Sequence, residues 1–261
     1  MVTTLDAVRR LRDQELLGAV VTIVDGPETG ERAVIDADDG FVAGELPADI
    51  AADVLADAAE LMRHEQSRTL SYGEWRVFIE TIAPSPVLLV FGAGHIAQPL
   101  SRMARELGFR VIVADARKTW ATEDRFPDVD ELIVGWPDQV LDHVPLDRRT
   151  YVALLSHDAR FEDPVFPRLK ETPVRYIGAM GSRRTHRQRI ERLSAQGWSE
   201  DELGQINGPI GLDIGAETPA ETAVSILGEM IQVRYGAGTG LSLRGGDGRV
   251  HAQRGTEEGT D

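Results

Sequence analysis

VLLVFGAGHIAQPLSRMARELGFRVIVAD, Val87 to Asp115, is the stretch that decides the fold. VLLVF and RVIVAD are short, apolar and rich in β-branched residues, so both read as buried strands. Gln98 to Leu107 lies between them with helical texture. Gly92, Gly94 and Ala97 fill the pattern G-x-G-x-x-G/A. Gly92 permits the tight turn, Gly94 lets backbone approach a pyrophosphate, and Ala97 lets the helix pack closely on the strand. Free N–H groups and the positive dipole end of the helix then face any phosphate. Asp115 ends the second strand, where a ribose-binding carboxylate sits in such folds. That leaves NAD(P) as a possible ligand. Arg117, two residues on, suits an extra phosphate on the ribose or a different phosphorylated ligand.

Outward from this unit the texture persists. ELIVG, TYVALLS and VRYIGAM read as further strands. Pro164 to Lys170, Thr185 to Gln196, Glu200 to Leu203 and Ala220 to Arg234 read as helices. Short apolar strands alternating with helices predict an α/β domain: a Rossmann-like parallel sheet with helices on both faces, spanning residues 84–240. Ala83-Pro84-Ser85-Pro86 is the expected linker, since its prolines stop helix and central strand alike. Residues 1–83 predict a small α+β domain. Its expected elements are a helix over Leu5–Leu17, a strand in GAVVTIVDG, a hairpin through Asp39-Gly40, a helix over Ile50–His64 and two strands in TLSYGEWRVFIETIAP. Residues 241–261 are Gly-rich and polar and are expected to be a disordered tail.

Composition narrows the function classes. The formal net charge of −15 argues against nucleic-acid and anionic-membrane binding, which need a basic surface. The absence of cysteine excludes disulfides, zinc–cysteine sites and a cysteine nucleophile. No apolar run is long enough to span a bilayer, and MVTTLDAVRRLRDQ has no signal-peptide core, so a cytoplasmic protein is expected.

Ligands of open parallel sheets sit beyond the carboxyl ends of the strands. After TYVALLS come His157 and Asp158, able to bind a metal, bind a ligand oxygen or move a proton. After VRYIGAM come Gly181, Ser182, Arg183 and Arg184. They open a helix in the one dense basic patch of the chain and could hold an anion. PIGLDIGAETPAE, Pro209 to Glu221, follows. Thr218, Pro219 and Glu221 fit an N-cap, a first-turn proline and a capping-box glutamate. Gly211 and Gly215 are surplus to a helix start and suggest close approach to a ligand. No G-x-S-x-G elbow, P-loop or H-E-x-x-H is present, so no catalytic set and no metal site is assigned.

Five of these blocks, LLVFGAGHIAQPL, FRVIVADAR, LLSHDARFEDP, YIGAMGSRR and GPIGLDIGAETPAETAVSILGEMI, resemble in order the signature blocks of the XdhC/CoxI family. The resemblance covers residues 86–236. It implies an accessory chaperone more than an enzyme. Such a chaperone would bind the molybdenum cofactor as cargo, support its maturation and hand it to the apo-form of a molybdenum hydroxylase, such as a xanthine dehydrogenase or a carbon monoxide dehydrogenase. A homodimer is expected. The residues it carries over are Gly92, Gly94, His95, Asp115, Arg117, His157, Asp158, Gly181, Ser182, Arg183, Arg184, Asp213 and Glu217. Family members usually carry an S-G-G-C-V-E block near the start. The corresponding place here reads DADDGFVAGELP, so no thiolate of this chain can reach molybdenum. Either another protein chain supplies one, or this member does a reduced or different job. An NAD(P)-dependent oxidoreductase and a non-catalytic nucleotide sensor remain the other readings.

Overall fold

A computed structural model describes residues 2–156 and 159–245. The chain divides into two compact units, Met1–Pro84 together with the segment from Leu241, and Ser85–Gly240.

The first unit is an antiparallel sheet with a helix on each face. Its elements are α1 (Thr4–Asp13), β1 (Gly18–Asp25), β2 (Arg32–Asp36), β3 (Gly40–Ala43), α2 (Ala48–Arg63), β4 (Arg68–Tyr72) and β5 (Trp75–Ile82), with strand order β3-β2-β1-β5-β4. Alternation assigns the faces: Val21, Ile23, Ile35, Val77 and Ile79 pack on Ile50, Val54 and Ala58 of α2, and Val34 packs on Ala7 and Leu11 of α1. The helix expected to reach Leu17 stops at Asp13, because Glu15 turns to a positive φ of 50° and Leu16 N–H bonds back to the Leu11 carbonyl. DADDGFVAGELP forms the β2–β3 hairpin. The buried Asp36 carboxylate accepts from the N–H groups of Asp38 and Asp39, which fixes its turn.

The second unit is a doubly wound α/β domain. β6 (Val87–Phe91), α3 (Ala97–Glu106), β7 (Arg110–Asp115), β8 (Glu131–Val134), α4 (Pro137–Leu141), β9 (Thr150–Leu154), α5 (Ala159–Glu162), α6 (Phe166–Lys170), β10 (Tyr176–Ala179), α7 (Arg183–Ala195), α8 (Glu200–Gly204), β11 (Ile206–Asn207) and α9 (Pro219–Tyr235) follow in that order. The sheet runs β8-β7-β6-β9-β10-β11, all parallel. This is the Rossmann order, reversing direction between β6 and β9. Phe91 lies opposite both Ala114 and Leu154, so the strand ends are level and their loops emerge side by side.

Both faces are covered, as continuous apolar strands require. Leu88 and Val90 turn to the face packed by α3 and α9, with Leu100, Ala104, Ile226 and Met230. Leu89 and Phe91 turn to the face packed by α4, α6 and α7, with Val140, Phe166 and Leu193. The five expected strands of this unit form. The structure adds α4, α5 and β11, which the sequence reading does not contain, and begins α7 two residues early at Arg183. Of the tail expected from residue 241, Leu243–Gly245 makes one 3-10 turn and the residues after 245 lie outside the described residues.

Candidate functional site

A cleft of about 770 Å³ opens over the reversal point of the parallel sheet. Gly94, His95, Ile96 and Ala97 line it from the turn after β6, Arg117 and Trp120 from beyond β7, Leu155 and Ser156 from beyond β9, Met180 from beyond β10 and Pro219 from α9. Every contribution follows a strand's carboxyl end or begins a helix, as the topology dictates.

The glycine turn is built for backbone approach. Gly92 has φ of +107°, and a Cβ there would stand 3.3 Å from the Leu155–Ser156 peptide. A Cβ at Gly94 would meet nothing within 4 Å, so that side of the turn is open. The N–H of Gly92 bonds to the Ala114 carbonyl and that of Ala93 to Asp115, whereas those of Gly94 and His95 have no protein acceptor among the described residues. Arg125 holds the turn's carbonyls: its Nη1 donates to Ala93 O at 2.8 Å and Trp120 O at 2.7 Å, and its guanidinium covers the Trp120 ring at 4.7 Å. His95 meets the Trp120 ring edge-on at 5.4 Å, and Arg117 lies 4.9 Å from its centre. Sequence reasoning misses both Trp120 and Arg125. The available signal is the aromatic and basic run RKTWATEDRF just past a strand end.

Asp115 is buried and fully engaged. It accepts from Ala93 N–H at 2.8 Å, from Arg117 N–H at 2.9 Å, and from the Arg117 guanidinium at 2.8 and 2.6 Å. Burial pushes its pKa up, but the Arg117 and Ala93 donors together outweigh this and hold it below the usual carboxylate value. The expected ribose carboxylate therefore already has its partners. Arg117, expected to meet phosphate, is tied to Asp115 while its side chain stays half exposed at the cleft wall.

The other expected residues are spread along the same edge. Ser182 is the N-cap of α7, its Oγ accepting from Thr185 N–H at 3.1 Å. Gly181 has φ of +143° against Thr185. Arg183 pairs with Asp213 at 3.7 Å, joining two expected site residues in an exposed ion pair worth little by itself. Gly181, Ser182, Arg183 and Arg184 follow the lining residue Met180 and Glu217 precedes Pro219 by two, while Asp213 is tied to them through Arg183; none of the six lines the cleft. His157 and Asp158 lie outside the described residues.

In the loop PIGLDIGAETPAE one of the two surplus glycines departs from its expected role, while a Cβ at the other, Gly215, would meet nothing within 4 Å. Gly211 has φ of +100°, and a Cβ there would stand 2.4 Å from Ser225 Oγ, so its close approach is to α9 and not to a ligand. Ser225 Oγ donates to the Leu212 carbonyl, and Gly211 N–H donates to Glu229. The predicted capping box forms: Thr218 accepts from Glu221 N–H, and Glu221 accepts from the N–H groups of Thr218 and Glu217. Those N–H donors hold the Glu221 pKa below its usual value. With Pro219 lacking an N–H, α9 presents the cleft with a wall and few donors.

Below this edge lies a buried ion pair. Arg189 of α7, 1% exposed, donates to Glu162 at 2.9 and 2.7 Å and to the Met180 carbonyl at 2.8 Å. It joins α5, α7 and the end of β10.

Fold and cleft define a structural class: a Rossmann domain with a cleft at its reversal point, where the Gly94 and His95 amides have no acceptor among the described residues. Comparison with known proteins narrows the class. The chain belongs to the family of the XdhC Rossmann domain, whose model matches residues 88–230. A probable xanthine dehydrogenase component of Bacillus subtilis (strain 168) is 35% identical over 158 residues, covering 60% of this chain and 46% of that protein. The molybdenum cofactor insertion chaperone PaoD of Escherichia coli (strain K12) is 37% identical over 106 residues, covering 38% of this chain and 33% of that one. The chain thus spans less than half the length of these relatives. A crystal structure described as a xanthine dehydrogenase from Bacillus halodurans superposes with a TM-score of 0.52 at 19% identity, over 89% of this chain and 94% of the other, which shows the shared fold.

Proposed function

We propose that this protein is an accessory chaperone that binds the molybdenum cofactor as cargo and assists its maturation and delivery to a molybdenum hydroxylase of the xanthine dehydrogenase or carbon monoxide dehydrogenase type. The observation that carries the proposal is that the family-matched stretch, residues 88–230, supplies every residue lining the reversal-point cleft. The cleft's chemistry suits the cargo. Gly94, His95 and Arg117 line the cleft and would offer N–H donors to a phosphate, and Trp120 would supply an aromatic surface beside it. Ser182, Arg183, Arg184, Asp213 and Glu217 would form an outer rim. This arrangement suits the holding of a phosphate-bearing cargo. A homodimer and a cytoplasmic location accord with a carrier of this kind.

The alternative is an NAD(P)-dependent oxidoreductase. Against it, the carboxylate that would take the ribose diol is committed to Ala93 and Arg117. Titration of the purified chain with molybdenum cofactor and, in parallel, with NADH and NADPH separates the two. Cofactor binding that Arg117→Ala weakens tenfold or more is the expected result. Tight nicotinamide binding with no cofactor binding would sink the proposal.

A further inference from the structure

The opposite end of the parallel sheet carries a second cavity, of about 440 Å³. It opens where the chain enters β9, β10 and β11, and its walls include Arg148, Arg175, Tyr176, Gln205 and Val233. None of its ten lining residues is acidic, although the chain holds 43 Asp and Glu against 28 Lys and Arg. The neighbouring carboxylates are spoken for. Asp147 accepts from the Arg149 guanidinium at 3.0 and 2.9 Å. Glu229 accepts from the Tyr176 hydroxyl and from Gly211 N–H. Burial, and then the Glu229 charge, push the Tyr176 pKa well above its usual value, so Tyr176 stays neutral and adds no negative charge.

Two arginines line this space, and neither pairs with a carboxylate among the described residues. Arg148 is exposed and makes no hydrogen bond or ion pair with a described residue. Arg175 spends Nη2 on the Arg234 carbonyl at 2.7 Å, while its Nε is buried with no acceptor. Its Nη1 makes no bond to a described residue, so both guanidinium groups keep donors that an oxyanion in the cavity can take up.

We propose that this cavity binds a small oxyanion, a phosphate- or carboxylate-bearing metabolite, through Arg148 and Arg175. A volume of this size matches small-molecule sites and admits more than a bare ion. β9 is five residues long, which separates the cavity from the cleft by about 17 Å. The two ligands therefore do not compete, and the site stands whether or not the cleft holds a molybdenum cofactor.

Calorimetric titration of the full chain at low salt, with inorganic phosphate in one arm and succinate in the other, tests the site. Saturable binding of at least one probe is expected. It should survive Arg117→Ala and weaken tenfold or more in both Arg148→Ala and Arg175→Gln. The arm that responds tells phosphate from carboxylate. The proposal is overturned by no saturable binding in either arm, or by binding that Arg117→Ala abolishes. Arg148 is exposed and pairs with no described residue, so Arg148→Ala should leave the fold intact, as circular dichroism will check. Binding unchanged in that variant refutes the site even if Arg175→Gln fails to fold.

Discussion

Two glycines of similar appearance in the sequence have opposite jobs. Gly94 faces open space and Gly211 faces helix α9. Gly94→Ala should cost under about 1 kcal/mol in urea unfolding, because its methyl meets no atom, yet weaken cofactor binding tenfold or more by filling the phosphate approach. Gly211→Ala should cost about 1–3 kcal/mol, through its positive φ and the clash with Ser225, and leave the cleft's chemistry unchanged. Equal stability of the two variants would refute this division. Asp115 supplies a pH prediction. Its folded pKa lies below its unfolded one, so its contribution to stability is present above the ordinary carboxylate range. That contribution is lost as acid titrates through the lowered folded value. Below about pH 4 the melting temperature of the native chain should therefore fall more steeply than that of Asp115→Asn. Parallel acid limbs would show that the Ala93 and Arg117 contacts do not form in solution. The glycine fingerprint was legible because its residues are consecutive. The Asp115–Arg117 pairing was not, because two residue types suited to a ligand are equally suited to each other.

Long elements with a clear period were the most legible, though length alone did not decide, since α6 and α8 of five residues each were also expected. The strands VLLVF and RVIVAD and the helices α3, α7 and α9 carry enough apolar periodicity and cap chemistry to be read. α4 has five residues and β11 two, too few for a period to repeat, and only the edge of β10 and the packing of Val140 and Leu141 create them. The Arg189–Glu162 pair was equally hidden. Arg189 reads as one more solvated arginine of a basic helix, yet the fold buries it against a residue 27 positions away. Breaking such a pair leaves an uncompensated buried charge, so Arg189→Met should cost about 3 kcal/mol or more by chemical denaturation. Thr218→Ala, removing the α9 cap, should cost only about 1 kcal/mol. If the two costs were found in reverse order, the pair would not be the tie that holds α5 and α7 to β10.

At the scale of the whole molecule, each unit closes its own apolar clusters, two in the first and two in the second. A fragment of residues 85–240 should therefore fold cooperatively by itself, checked by a single sigmoidal urea transition. A fragment without a transition would mean that its core depends on residues beyond those clusters. The sequence by itself determined the α/β class, the strand order's origin in a βαβ unit and the family, because local periodicity and contiguous motifs survive without the third dimension. Only the tertiary structure decided which donors remain free. It turned Gly211 towards a helix, committed Asp115 to Arg117, and left the Gly94 and His95 amides open in the cleft. It also left Arg148 and Arg175 without a counter-charge among the described residues at the far end of the sheet. Whether a polar group is spent or available depends on partners distant in sequence, and that is settled only when the chain has folded.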